Sequence, residues 1–382
     1  MSGKSFLKTL ILTTATLGCM TMADDRALEH ECTSWILFPN VTGGKYILHK
    51  NRDAPSRDVT ICKWSKPDKH KWIGLGSGPY PCMGISEKGL AIVSNSGEVT
   101  FENEPAQEGR MTLPVILKYL FENTSTAAEA VAEFQNILER RAYTHKNNGS
   151  IVFILDTKEG YILECTAHHA IVVKMTEGIH VRANIWHNPG MEIYKRNSFS
   201  STMNSALREY MTTGSLNDAL VAEGKITLDA IRRTSRLRGD PDNSGALRGI
   251  CCKTTNSAST LVADIEFPDV LSTAFVVIGP PRHSVYIPVP ICIDEIPSDI
   301  ADFSWSHAAF ARLDAEGIEV DFDIWKPFED SMQEAYMNAE EKARLLLREG
   351  KREEAIATMR ALFTETCNRA RELALKPPKP QE

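Results

Sequence analysis

The feature that most restricts the fold is a train of short apolar runs, each closed by a turn signal before it reaches helical length. "CTSWILF", "KYILHKN", "CMGIS" and "LAIVSN" fall between residues 32 and about 100, punctuated by "TGG" and "SEKG". "SIVFILD", "GYILEC", "AIVVKM" and "IHVRANIW" follow across "TKEG" and "TEG" turns, and "STLVAD", "STAFVVIG" and "SVYIPV" come later. Strands joined by tight turns pair antiparallel, because a parallel crossover needs a long connection. The first group reads as hairpins, the second as a meander long enough to form a second sheet.

Helices interrupt the strands. "TLPVILKYLFE" and "STAAEAVAEFQNILERRA" have helical spacing; the second has Thr126 and Glu129 at capping-box distance and Ala127, Ala130, Val131, Phe134, Ile137 and Leu138 on one face. Residues 191 to 238 are also helix-like. From residue 303 the character changes, and the tail reads as an amphipathic helical hairpin bent near Gly350, expected to pack on the main body or on a second copy in a homo-oligomer. This order predicts an α+β class with two layered antiparallel sheets, and 382 residues at 42% hydrophobic content can bury a large core. The net charge of -7 supplies no basic stripe, so nucleic acid is excluded as a partner class. There is no Gly-rich phosphate loop, GxSxG elbow or CxxC pair. His168 and His169, read as strand neighbours, would point to opposite faces, so no metal and no cofactor is expected.

The first residues read as an export signal over 1–23: Lys4 and Lys8 precede the apolar "FLKTLILTTATLG", and "TMA" ends at Ala23. The run falls short of the ~20 residues a bilayer span requires, and no later segment is longer. Cys19 in "TLGC" is a rival lipidation point, weakened by Thr16 where a large aliphatic residue is usual. A secreted or periplasmic location follows. Signal removal leaves Cys32, Cys62, Cys82, Cys165, Cys251, Cys252, Cys292 and Cys367, an even number in an oxidising compartment. The sequons "NVT", "NTS" and "NGS" matter only in a eukaryotic secretory pathway.

Chemistry concentrates in "HECTSWILFPNVTGGKYILHKNRD". Folded as a hairpin about "TGG", this segment sets Cys32 and Asp53 symmetrically about the Thr42-Gly43 bond, so Arg52 and Asp53 meet Cys32 across the strands. Pro39 can slip that register by one. A thiol beside Arg and Asp lacks a base near neutrality. The cysteine's own α-amine, with a pKa around 7.7 to 8.0, can serve once the Glu31-Cys32 bond is cut. Residues 24–31, "DDRALEHE", then form a short propeptide.

"CTS" followed by "TGGKYILHKNRD" resembles the N-terminal-nucleophile (Ntn) cysteine hydrolases. These include the choloylglycine hydrolases and penicillin V acylases, which cleave linear amide C-N bonds, the isopenicillin N acyltransferase-like group, and the secernin and dipeptidase group. "CMGISEKGLAIVSNSGE", "RANIWHNPGME" and "TAFVVIGPPRHSVYIPV" extend the resemblance over about residues 32 to 290. It implies a four-layer αββα sandwich over 32–302, with 303–382 as a helical extension similar to the dipeptidase branch. It also implies Cys32 as nucleophile, its amine as base, Asp53 orienting both, Arg52 assisting, and Asn95 and Asn184 holding the oxyanion. A further substrate-binding arginine is implied, placed at Arg248 with Arg196 and Arg236 as competitors. The partner is a small-molecule amide, and the reaction is hydrolysis, acyl transfer or dipeptide cleavage. Two readings of other kinds stand beside it: an exported binding protein with Cys32 in a disulfide, and a papain-like pairing of Cys32 with His187 or His283.

Overall fold

The computed structural model describes residues 32–102, 104–145, 147–196, 199–239, 249–318 and 322–377. The signal, the propeptide, Cys19 and Arg248 lie outside the described residues. Thirteen strands are present among the described residues: β1 (Cys32–Leu37), β2 (Tyr46–Asp53), β3 (Thr60–Trp64), β4 (Trp72–Gly76), β5 (Pro81–Ser86), β6 (Ala91–Val99), β7 (Asn148–Leu155), β8 (Gly160–Cys165), β9 (Ala170–Met175), β10 (Ile179–Arg182), β11 (Thr255–Ala263), β12 (Thr273–Ile278) and β13 (Tyr286–Pro290). They form a six-stranded sheet, β10-β1-β2-β11-β12-β13, and a seven-stranded sheet, β3 to β9 in chain order. Every named strand pair is antiparallel.

Alternation decides the layers. In β1 and β2, Ile36 and Leu48 join the cluster between the sheets with Val93, Ile151 and Phe153 of the second sheet. Trp35, Leu37 and Ile47 face the other way, onto α3 (Phe199–Glu223), α4 (Leu228–Ser235) and the tail helices. The second sheet packs its outer face, including Ile92, Val152 and Ile154, on α1 (Leu113–Asn123) and α2 (Ala127–Glu139). The result is helix, sheet, sheet, helix, the four-layer α+β sandwich that the resemblance implied.

Local chemistry accounts for the elements. The Thr126 hydroxyl accepts from Glu129 N at the start of α2, and the Glu129 carboxylate accepts from Ser125 N, so the predicted capping box forms with its return bond one residue early. All six apolar residues predicted on that face are buried. The tail forms α5 (Ser304–Glu316), α6 (Lys326–Arg348) and α7 (Arg352–Ala374). The turn between the last two is at Gly350, whose φ of +77° favours glycine. Phe363, Cys367 and Ala370 of α7 join the cluster between the sheets, and Met359 and Leu362 join the outer one.

Three expectations need correction. The second strand group is not a sheet of its own: β7 to β9 continue the sheet begun by β3 to β6, while β10 crosses to pair with β1. Strands β3 and β4, "TICKW" and "WIGLG", had no counterpart in the sequence reading. His168 and His169 lie in the β8-β9 turn rather than in a strand, where they pair with Glu104 and Glu102.

Candidate active site

The nucleophile hairpin is not a simple turn. Pro39–Thr42 forms one helical turn ending at Gly43, which has φ +73°, so Cys32 pairs with Arg52 instead of Asp53. The predicted neighbourhood is present with the register moved by one residue. On its other side β1 pairs Ser34 with Arg182 of β10, and the chain beyond β10 brings Asn184 beside Cys32. Cys32 shares the strand face of Ser34 and Ile36, which looks toward the second sheet.

Cys32 is buried, and its backbone is held at both ends. Its N-H donates to Asn184 Oδ1 at 3.0 Å, and its carbonyl accepts from Arg208 Nη1 at 2.7 Å. Arg208 comes from α3 in the outer helix layer. It also donates to Thr33 Oγ1 at 2.9 Å, and its Nη2 reaches Asn184 Oδ1 at 2.7 Å and Ser205 Oγ at 3.3 Å. Fully buried, Arg208 is a site residue that sequence reasoning missed. Helical periodicity over residues 191 to 238 gives no signal that one arginine turns inward.

Arg52 and Asp53 diverge because consecutive strand residues face opposite sides. Arg52 Nη1 donates to Ser77 Oγ in the β4-β5 turn at 3.1 Å. Its charge also acts on Cys62, whose thiol is nonetheless pushed up to about 12, chiefly by burial and then by Cys82. Asp53 Oδ1 accepts from Thr255 Oγ1 at 2.5 Å, and that oxygen accepts from Cys252 N at 2.9 Å. The Cys252 thiol is raised to about 11 by burial and then by the Asp53 charge. Asp53 itself is 2% exposed.

The two asparagines tie the sheets together at this end. Asn184 Nδ2 donates to Ser96 O of β6 at 2.7 Å. Asn95, on β6, sends Nδ2 to the carbonyls of Arg182 and Ala183 at 3.1 and 2.9 Å. Its Oδ1 accepts from Ser34 Oγ at 2.7 Å and Lys50 Nζ at 3.2 Å. Lys50, 1% exposed, also donates to Ser94 O. Thus Asn95 spends both amide groups bracing β1, β2 and β10 against β6. It sits one residue before the carbonyl to which Asn184 donates, and its donors aim at backbone carbonyls.

The segment after Asn184 is anchored from several sides. Ala183 N donates to Glu209 Oε1 at 2.7 Å, and the N-H groups of His187 and Asn188 donate to the two oxygens of buried Glu164 at 2.8 and 2.9 Å. A Cβ on Gly149 would lie 2.1 Å from the Trp186 ring, and one on Gly97 would lie 2.7 Å from its Nε1. The indole lies against those two glycines.

The other predicted residues lie elsewhere. Arg236 forms a buried bidentate pair with Glu329 at 2.8 and 2.7 Å. Arg196 is exposed, over the Phe101 ring. His187 Nε2 bonds Glu209 at 2.8 Å, and His283 Nε2 bonds Gly317 O at 2.8 Å, so neither imidazole is directed to Cys32 by these contacts. The eight described cysteines are free thiols. No group of His, Cys, Asp and Glu among the described residues could hold a metal ion.

No family model matches the sequence, and no curated protein matches it. Solved structures do. A variant of conjugated bile acid hydrolase from Clostridium perfringens has a TM-score of 0.47 and 13% identity, covering 68% of this chain and 92% of that one. Penicillin V acylase from Agrobacterium tumefaciens has a TM-score of 0.41 and 11% identity, covering 67% and 86%. The Caenorhabditis elegans ortholog of N-acylethanolamine-hydrolyzing acid amidase has a TM-score of 0.42 and 13% identity, covering 63% and 94%.

Proposed function

We propose that the chain is an exported, self-processed cysteine amidohydrolase that cleaves linear amide C-N bonds through a thioester on Cys32. The observation that carries this reading is the double hold on the Cys32 backbone, with N-H on Asn184 and C=O on Arg208, at the first residue of β1. A buried N-H at the first residue of a strand needs an acceptor, and here it is a side-chain oxygen that can accept from the amide before scission and from the amine after it.

In the proposed reaction the thiol proton passes to the Cys32 amine as sulfur attacks the substrate carbonyl carbon. Charge then gathers on the carbonyl oxygen, and the oxyanion role falls in this reading to Asn184, the side chain bonded to the Cys32 nitrogen, whose Nδ2 holds the Ser96 carbonyl in the present structure. As the C-N bond breaks, the proton moves from the Cys32 amine to the leaving nitrogen. Water then attacks the thioester carbonyl, with the amine again taking the proton, and releases acid and thiol. Asp53 and Thr255 fix the end of β2 beside this centre, while Asn95 acts as a brace rather than an oxyanion donor. The same Cys32 sulfur, attacking the Glu31 carbonyl carbon, displaces the Cys32 nitrogen as the amine and leaves the propeptide as a thioester, which water hydrolyses to the Glu31 carboxylate and the free thiol.

Intact mass and N-terminal sequencing of the purified protein and of Cys32→Ala test this. The native chain is expected to begin at Cys32 and the variant to retain "DDRALEHE". A native chain that starts ahead of residue 32 and still hydrolyses amides would sink the proposal. Turnover of N-acyl amino acids, penicillin V, conjugated bile acids, N-acylethanolamines and dipeptides identifies the acyl and amine preferences.

A further inference from the structure

Resting on that reading, we propose that Arg208 is a positioning residue that keeps the liberated α-amine of Cys32 unprotonated near neutral pH. Asn184 Oδ1 accepts from two donors, Cys32 N at 3.0 Å and Arg208 Nη2 at 2.7 Å. The guanidinium nitrogen and the amine therefore stand no more than about 6 Å apart, in a region where Arg208 is fully buried.

Two effects then act on the amine in the same direction. A fixed positive charge at this distance disfavours a second one, by about two pH units at an effective dielectric near 20. Asn184 Oδ1 would be the natural acceptor for an ammonium group, but one of its lone pairs is already engaged by Arg208, which weakens its hold on a second cation. A base with an ordinary terminal pKa, around 7.7 to 8.0, would be mostly protonated at neutrality and unable to take the thiol proton. A buried arginine against the nucleophile corrects that.

Among the described residues, the charged groups on the surrounding elements are these. From β2, Asp53 favours the ammonium and its carboxylate is tied to Thr255, while Arg52 opposes it and is directed to Ser77. Lys50, also on β2, is held at Ser94 and Asn95. From α3, Glu209 is engaged with Ala183 N and His187. Arg182 of β10 stands 3.6 Å from Glu164 of β8. On β6, Glu98 pairs with Lys195 at 2.7 Å. Before β11, Cys252 is a neutral thiol, pushed up to about 11. Among the described residues Asp53 and Glu209 offset Arg208 in part, so the net expected displacement is about one pH unit below the ordinary terminal range.

The test is nitrogen-15 NMR titration of the processed protein labelled with 15N-cysteine, in which only Cys32 can give an amine resonance. The native amine is expected to titrate at about 6.5 to 7, Arg208→Met to move it up by roughly one unit or more, and Arg208→Lys to hold it within about half a unit of native. A native amine titrating at 8 or above overturns the proposal without needing any variant to fold. So does an unchanged titration in Arg208→Met. Absence of any amine signal, with the Cys32 nitrogen still an amide, overturns the scission reading and this inference together. A purely structural arginine would lower yield or stability in both variants and leave the amine titration where it was.

Discussion

Asn95 and Asn184 present the same side chain to the same end of the sandwich and do different things. Asn95 makes four hydrogen bonds that close β6 onto β1, β2 and β10, and it gives buried Lys50 an acceptor. Asn95→Ala would take one of the two acceptors of that ammonium and the side-chain donor of two backbone carbonyls, so unfolding by urea is expected to show a loss of about 2 to 4 kcal/mol. Asn184→Ala removes the acceptor of Cys32 N and Arg208 and, in the proposed reaction, the oxyanion donor, so its main expected effect is on kcat, roughly a hundredfold or more. Equal stability losses with equal kcat in the two variants would contradict this division. Cys32, Arg52, Asp53 and Asn184 were legible because hairpin arithmetic and motif order fix neighbourhoods. Arg208 was not, since it enters from a helix whose polar residues all look solvent-facing in sequence. The hairpin register was off by one because Pro39–Thr42 coils into a helical turn that no residue count about "TGG" reveals.

At the scale of elements, the site depends on how β6, β7 and the segment after β10 interlock. The β6-β7 register shifts between Ser96 and Val99, and this irregularity holds Gly97 beside Trp186 and lets the Ser96 carbonyl receive Asn184. Gly149→Ala puts a methyl group into the Trp186 ring and 2.5 Å from the Cys165 carbonyl. The expected cost is about 1 to 3 kcal/mol in stability. Because Trp186 follows Asn184 by two residues, N-terminal processing should slow as well. Normal processing in a destabilised Gly149→Ala would uncouple the bulge from the site. Such contacts explain why β6 runs to Val99 when the apolar pattern stops at Asn95. Strands β3 and β4 escaped recognition for the opposite reason: five residues each, with Lys63, Gly74 and Gly76 among the apolar positions, give too little alternation to score. Helix α2 was fully legible because cap and apolar stripe agree.

For the whole molecule, the buried histidines set the response to acid. Burial lowers His49 to about 3 and His145 and His283 to about 4. In the unfolded chain each takes a proton near pH 6.5, so between about 6.5 and 4 the unfolded state binds more protons and stability falls as pH falls. Each contributes up to about 1.4 kcal/mol per pH unit, and three together up to about 4, which over two units rivals the whole stability of an ordinary domain. Glu98 opposes this, since burial raises its carboxyl in the folded state. Because that opposition begins at the ordinary carboxylate range and above, it softens the lower part of the window. Urea unfolding at pH 7.5, 6.0 and 5.0 should give steadily lower midpoints. His49 stacks on Trp35 at 3.9 Å and bonds Thr260 and Asn51, contacts that a glutamine amide can reproduce without titrating. His49→Gln is therefore expected to remove about one third of the pH slope while leaving stability at pH 7.5 within about 1 kcal/mol of native. A slope unchanged in that variant would mean that the proton enters the native fold at His49, and the buried polar row from Trp35 to Ser235 would have to open in acid.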